Sequence, residues 1–173
     1  MIDGQKKGIS LCIIESEKEY LLIRRGKKKT SIEDWTDQYI PIGGKIEPYE
    51  TPEKAAIREI KEEAGFEIDN PILFGILTET SPLPKFNNII YFFSKKILKQ
   101  QPTDCDEGYI EWIEKSNILN IPTPEIDKTV YEYLVNKQKF IINATYDDKL
   151  NLLTAYEYIE NKVIKWENLK TKL

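Results

Sequence analysis

Residues 44–66 decide the fold, and they read GKIEPYETPEKAAIREIKEEAGF. Thr51 suits the N-cap position of a helix, and Pro52 suits the first helical position. Gly65 is typical of the residue at which a helix ends. Pro48 favours a loop before this helix. The stretch therefore predicts a loop followed by a helix that runs from Thr51 to Gly65.

One face of this predicted helix is acidic. At about 100° per residue, Glu59, Glu62 and Glu63 fall within one arc of roughly 100°. Three carboxylates so placed repel one another unless a cation lies between them, and oxygen ligands suit Mg²⁺ or Mn²⁺. The pattern predicts a metal site for phosphate chemistry. Beside the acidic face runs an apolar stripe that would pack on a core: Ala56, Ile57, Ile60 and Ala64.

The stretch also resembles the signature of the Nudix hydrolase family, Gly-x5-Glu-x7-Arg-Glu-U-x-Glu-Glu-x-Gly-U, where U is a bulky apolar residue. The resemblance implies an α/β fold, the Nudix α/β/α sandwich with a mixed central sheet, and a Mg²⁺- or Mn²⁺-dependent pyrophosphohydrolase. Every fixed position is filled: Gly44, Glu50, Arg58, Glu59, Ile60, Glu62, Glu63, Gly65 and Phe66.

By this resemblance, the helix carboxylates carry the chemistry. Glu59, Glu62 and Glu63 would bind the metal together with the backbone carbonyl of Gly43. Glu59, Glu62 and Arg58 would form the catalytic set, along with a further glutamate described below.

The loop before the helix supports that site in the same interpretation. Glu50 would form salt bridges with Arg58 and so orient the metal-binding carboxylates. Gly44 would let the backbone approach the metal and the phosphates closely. Lys45 would bind a substrate phosphate.

A looser likeness covers the second half of the chain, which is similar to the 8-oxo-purine nucleoside triphosphate diphosphatases of the MutT type. It implies that Glu107 binds the metal and is a candidate general base. Asp127 would recognise the oxidised base, although an acid stabilised at a helix N-terminus is an equal alternative. Ile40 stands where that branch often has an asparagine, and Ile126 replaces an aspartate beside Asp127. We expect Ile40 to pack on the base.

Composition sets further limits. The chain has 173 residues, a net charge of −4, two cysteines and no histidine. The charge argues against a general nucleic-acid binder. The lack of histidine removes Ser-His-Asp and Cys-His catalysis and histidine metal ligands. Few cysteines favour a reduced, cytoplasmic protein, and no apolar segment is long enough to predict a membrane span.

The pattern of apolar residues predicts one α/β domain, and the resemblance implies that residues 1–156 form a Nudix domain. The tail, residues 157–173, is predicted to be a helical extension with an apolar face formed by Ile159, Val163, Ile164, Trp166 and Leu169. Strands are predicted over residues 8–15, 19–25, 72–80, 88–95, 109–113, 140–146 and 150–156, and a second helix over residues 127–137.

Three functions remain open from the sequence. The first is hydrolysis of a nucleoside triphosphate, such as an oxidised purine nucleotide, to a monophosphate and pyrophosphate. The second is cleavage of ADP-ribose or another nucleoside diphosphate conjugate. The third is a non-catalytic module that binds nucleotide. In each case the partner is a small nucleotide, no nucleic acid or membrane is involved, and the protein is a monomer or homodimer.

Overall fold

The computed structural model describes residues 6–26, 37–103 and 108–164. The predicted strands up to residue 156 and the second helix are confirmed, with ends that shift by at most two residues, whereas the first helix is α-helical only to Glu59 and continues as a π-helical turn to Ala64. In the described ranges the strands are β1 (Lys7–Glu15), β2 (Glu19–Arg25), β3 (Tyr39–Ile40), β4 (Ile42–Lys45), β5 (Ile72–Thr80), β6 (Asn88–Lys96), β7 (Gly108–Glu114), β8 (Phe140–Tyr146), β9 (Leu152–Glu157) and β10 (Lys162–Val163), and the helices are α1 (Pro52–Glu59) and α2 (Glu125–Val135).

The described strands form one mixed sheet, in the order β10-β9-β8-β5-β6-β1-β2-β3. The β1–β6 and β5–β8 pairs are parallel, and the other pairs are antiparallel. One edge of β1 lies along β6, whereas its other edge is shared by β4 and β2. The predicted mixed central sheet is therefore confirmed.

Alternation along β1 places one helix on each face of the sheet. Successive side chains of a strand point to opposite faces. Cys12 and Ile14 accordingly belong to the core that includes Ile60 at the end of α1. Ile13 belongs to the core that includes Val130 of α2. The two cores give the α/β/α sandwich.

The predicted caps form at the first helix. The Thr51 side chain accepts a hydrogen bond from the backbone N–H of Lys54 at 3.3 Å. The helix α1 then continues into a π-helical turn, Ile60–Ala64, and ends at Gly65, whose φ of 74° lies in the left-handed region. A π-helical turn holds one more residue than an α-helical turn, so it changes the spacing of the carboxylates at its end.

The helix predicted for the tail is wrong as far as the structure describes it. Strand β9 ends at Glu157, and a turn then leads into β10, which pairs antiparallel with β9. The contradiction covers residues 157–164. Residues 165–173, with Trp166 and Leu169, lie outside the described residues.

Glu157 explains this turn. It is 0% exposed, and its carboxylate accepts hydrogen bonds from the backbone N–H groups of Ile141, Ile159 and Glu160. Burial acts to raise the pKa of this carboxyl, but the backbone hydrogen bonds outweigh it, and the pKa lies below its ordinary value. By accepting these backbone hydrogen bonds, the carboxylate stabilises the turn in place of a continuing helix.

Within the described ranges, no helix has the length and apolar character needed to cross a bilayer.

We expect Glu157→Gln to lower the free energy of unfolding by about 1–3 kcal/mol near neutral pH, since an amide N–H₂ would face backbone donors. Because the folded-state pKa is lowered, this stabilisation is present above the unfolded-state pKa of about 4.3 and is lost as pH falls through the folded-state value. Urea unfolding near neutral pH and near pH ~3 measures both effects.

Glu160→Gln is the matched control, because Glu160 lies in the same turn but pairs through its side chain with Lys162. A Glu157→Gln variant as stable as the wild type near neutral pH would contradict the account. So would a difference in stability that is as large in acid.

Candidate active site

A cavity of about 1220 Å³ opens beside β4 and beneath the start of α2. Several predicted site residues line it, although they come from distant parts of the chain. The cavity therefore unites both halves of the predicted site. Those lining residues are Ile40, Gly43, Gly44, Lys45, Glu59, Glu63 and Asp127.

Arg58 organises the acidic end of the cavity. Its Nε and Nη2 atoms lie 3.0 and 3.1 Å from the two carboxylate oxygens of Glu50. Its Nη1 atom lies 2.8 Å from Glu59 Oε1 and 3.0 Å from Glu62 Oε2. Nη2 also donates to the backbone oxygen of Lys45 at 3.0 Å. The salt bridge predicted between Arg58 and Glu50 is thus present.

These contacts shift the pKa of both partners. The hydrogen bonds that Arg58 donates, first among them those to Glu50, raise the pKa of Arg58. The hydrogen bond from Arg58 lowers the pKa of Glu50, which also accepts from the backbone N–H of Glu47 at 3.0 Å. The loop before α1 is therefore fixed to the helix by an ionised pair.

The two glycines make room for this arrangement. Gly43 has a φ of 146°, and a Cβ there would lie 2.2 Å from the backbone oxygen of Ser10. A Cβ on Gly44 would lie 2.5 Å from Glu59 Oε1. Side chains at either position would clash, so the glycines allow β4 to pass directly beside Glu59.

The carboxylates divide between the cavity and the surface. Glu59 and Glu63 line the cavity, and Glu63 is only 8% exposed. The Glu62 side chain is 57% exposed and points to Arg58. Within the part of the chain that the structure describes, no three acidic groups converge closely enough to enclose an ion. Glu107 lies outside the described residues.

The donor set nevertheless fits a hard divalent cation. Glu59 and Glu63 offer carboxylate oxygens at the cavity wall, and the glycine pair leaves backbone beside them without intervening side chains. Oxygen donors of this kind are those that Mg²⁺ and Mn²⁺ take in proteins. Glu62 would join them if its exposed side chain rotated away from Arg58.

At the other end of the cavity, Asp127 meets a second acid that the sequence did not indicate. The pKa of Asp127 is raised to about 7, first by burial and then by the charge of Glu79, whereas Arg25 lowers it. A helix N-terminus by itself would lower the pKa of an acid. Burial and the charge of Glu79 therefore outweigh the helix N-terminus in setting the pKa of Asp127.

Sequence reasoning missed Glu79 and its two neighbours, Asn88 and Tyr146, which also line the cavity. A signal was present in the alternation of β5 and β6. Inward positions there hold apolar residues such as Leu77 and Ile90, and Glu79 and Asn88 interrupt that pattern.

The wall that carries Ile40 is fixed by its neighbour Tyr39. The Tyr39 hydroxyl donates to Glu111 Oε2 at 2.8 Å, while its backbone oxygen accepts from Thr123 Oγ1 at 2.7 Å and from the Tyr131 hydroxyl at 3.3 Å. Strand β3 is therefore tied to β7 on one side and to the α2 region on the other, which holds Ile40 at the cavity.

The family model described as NUDIX domain matches residues 4–134. The chain belongs to the Nudix family. Membership indicates a pyrophosphohydrolase, and the family generally uses divalent metal ions.

Individual relatives agree with this assignment. The Nudix chain is 23% identical over 151 residues to the uncharacterized Nudix hydrolase YvcI of Bacillus subtilis, covering 84% of this chain and 90% of that protein. It shares its fold with a MutT protein from Bacillus halodurans, with a TM-score of 0.74, 21% identity and coverage of 87% and 97% of the two chains. The NUDIX domain of Shewanella oneidensis NrtR, solved with ADP ribose, gives a TM-score of 0.64 at 11% identity, with 77% and 88% coverage.

We expect Asp127→Asn to stabilise the protein in a pH-dependent way. The folded-state pKa of about 7 lies above the unfolded-state value of about 3.9. Ionising Asp127 therefore destabilises the folded state progressively as pH rises through this window. Asparagine cannot ionise, so the melting temperature of the variant should exceed that of the wild type above about pH 7 and match it below about pH 4.

Asp148→Asn, at an exposed turn, serves as the control. Thermal unfolding of the wild type, Asp127→Asn and Asp148→Asn across this pH range measures the three melting temperatures. An effect of Asp127→Asn that does not vary with pH would show that the charge of Asp127 is not penalised in the folded protein.

Proposed function

We propose that this protein is a Mg²⁺- or Mn²⁺-dependent hydrolase that cleaves a nucleoside triphosphate, such as an oxidised purine nucleotide, into a monophosphate and pyrophosphate. The observation that carries the proposal is one continuous cavity with two unlike ends. Glu59, Glu63 and the glycine pair lie at one end, and Asp127 lies at the other. A nucleotide has the same division, with phosphates at one end and a base at the other.

At the acidic end of the cavity, the residues would bind the metal and orient its ligands. Glu59, Glu62 and Glu63 would hold the metal with the Gly43 carbonyl, and Glu107 is proposed as a further ligand and general base. The bound metal would supply charge neutralisation for the phosphates and acidify an attacking water. Arg58 bonds to Glu59 through Nη1 and holds that carboxylate beside the glycine pair.

A second group of residues would contact the substrate. Lys45 lines the cavity next to Gly44, where its ammonium would bind a phosphate. Asp127 would hydrogen-bond the base edge, and Ile40, held by its neighbour on β3, would pack on the ring. Because the chain contains no histidine, proton transfer must rely on carboxylates, lysine, tyrosine or metal-bound water, and we propose Glu107 as the base.

A second candidate is hydrolysis of ADP-ribose or another nucleoside diphosphate conjugate. The fold shared with the NUDIX domain of NrtR, which was solved with ADP ribose, favours it. A non-catalytic module is less well supported, because every carboxylate of the family signature is present. We further expect a cytoplasmic monomer or homodimer.

The combined variant Glu62→Gln, Glu63→Gln should lower kcat by at least about 100-fold, because it removes two charged ligands from the site. Folding should persist, since the substitutions also relieve repulsion between carboxylates. Phosphate release from a nucleotide panel with Mg²⁺ measures the rate, with inorganic pyrophosphatase added for the triphosphates and alkaline phosphatase added for ADP-ribose, whose cleavage gives two phosphomonoesters and no pyrophosphate.

Glu67→Gln is the control, because Glu67 follows the same helix but is 80% exposed and pairs with Lys61. Full activity in a folded double variant would refute the metal-dependent assignment. Activity confined to ADP-ribose would instead select the second candidate.

A further inference from the structure

The cavity contains a polar cluster on a face of the sheet that is otherwise apolar. Glu79 of β5 and Asn88 of β6 lie directly opposite each other across the antiparallel pair. Their strand neighbours on the same face, Leu77 and Ile90, belong to the apolar core beneath α2. Glu79 is half-buried, and departures from such a pattern are expected at functional positions, because removing a carboxylate from water costs free energy unless something uses it.

The Glu79 carboxylate is held in one orientation by two donors. Asn88 Nδ2 donates to Glu79 Oε2 at 2.6 Å, and the Tyr146 hydroxyl donates to Glu79 Oε1 at 3.2 Å. Asn88 is only 9% exposed. Each carboxylate oxygen has a further lone pair, so the acceptor capacity of Glu79 is only partly used by these two contacts.

A structural ion pair does not account for Glu79. Among the described residues, the salt bridges do not include its carboxylate. The ammonium of Lys6 donates to the backbone oxygen of Glu79 and to Thr80 Oγ1 instead. The carboxylate thus lines the cavity as a fixed group with acceptor capacity.

Asp127 presents a second acid to the same cavity from the helix side. Glu79 approaches from the sheet side, and its charge acts on Asp127. A carboxylate accepts hydrogen bonds and does not donate them, so a ligand group that contacts the Glu79 carboxylate must offer a donor such as an N–H. Among nucleobases, guanine offers a ring N–H and an adjacent amino group along one edge, whereas hypoxanthine has the same ring system without the amino group.

We propose that Glu79, oriented by Asn88 and Tyr146, is a specificity-determining residue that selects bases carrying a guanine-type amino group. This inference rests on the proposed function, because it takes the occupant of the cavity to be a nucleotide. It adds the base class and names the side chain on the sheet that accepts from the amino group.

Equilibrium binding tests the inference without catalysis. We would titrate GTP and ITP into the full chain in EDTA by calorimetry, for the wild type, Glu79→Gln and Tyr146→Phe. The wild type should bind GTP about tenfold more tightly than ITP, the scale of one satisfied hydrogen bond to a charged group. In Glu79→Gln this ratio should fall to about one, because an amide N–H₂ can face the amino group.

Tyr146→Phe keeps the carboxylate but removes one of its two donors, so its ratio should lie between those of the wild type and Glu79→Gln. It also keeps the test decisive if Glu79→Gln does not fold. Glu15→Gln is the matched control, because Glu15 is a half-buried strand carboxylate that pairs with Lys115 and lies away from the cavity. Its ratio should equal that of the wild type.

A wild type that binds GTP and ITP equally would overturn the inference, and so would a ratio unchanged in both folded variants. These results are independent of hydrolysis. Selective binding without hydrolysis of any triphosphate would refute the proposed function and leave the role of Glu79 intact. Hydrolysis of triphosphates by a protein that binds GTP and ITP equally would refute the role of Glu79 and leave the proposed function intact.

Discussion

Arg58 forms the interaction on which the acidic end of the cavity depends. Its guanidinium bonds to Glu50, Glu59 and Glu62 and to the backbone of Lys45. Without it, three carboxylates would repel one another next to a buried fourth, Glu63. Because the Arg58 side chain is only 28% exposed, water screens these contacts less than it would at an open surface. The same group therefore fixes the loop, the helix and the end of β4.

The two-faced sheet extends this local arrangement into the cavity. One face of β1 packs on α1, which carries Arg58, and the other face packs towards α2, which carries Asp127. The short strand β4 lies at the edge of β1 and brings Gly43 and Gly44 beside Glu59. In the proposed function, phosphate chemistry and base recognition would fall to elements that pack on opposite faces of one sheet.

Local spacing explains how much of the site could be predicted. Glu50, Arg58 and Glu59 lie within ten residues, so the geometry of one loop and one helix fixes their contacts. Glu79 and Tyr146 meet only because β5 and β8 are parallel neighbours. Spacing along the sequence carries no record of that pairing. The interruption of the apolar alternation at Glu79 was the available signal.

The tail and the acidic helix face show a different limit. The apolar residues after Glu157 have helical spacing, yet the backbone donors of Ile141 and Glu160 bind the Glu157 carboxylate and favour a turn. Within the π-helical turn at Ile60–Ala64, Glu63 is buried whereas Glu62 is exposed. The acidic face predicted from helical spacing is therefore divided between the cavity and the surface. Tertiary contacts overrode local periodicity in the tail.

Calorimetric titration of Mn²⁺ into the full chain tests most directly the claim that Arg58 maintains a divalent cation site. The wild type should bind Mn²⁺, and Arg58→Lys should bind it about 10- to 100-fold more weakly, because lysine cannot hold Glu50 and Glu59 at once. A wild type that fails to bind Mn²⁺, or a folded Arg58→Lys variant that binds it with unchanged affinity, would contradict the account.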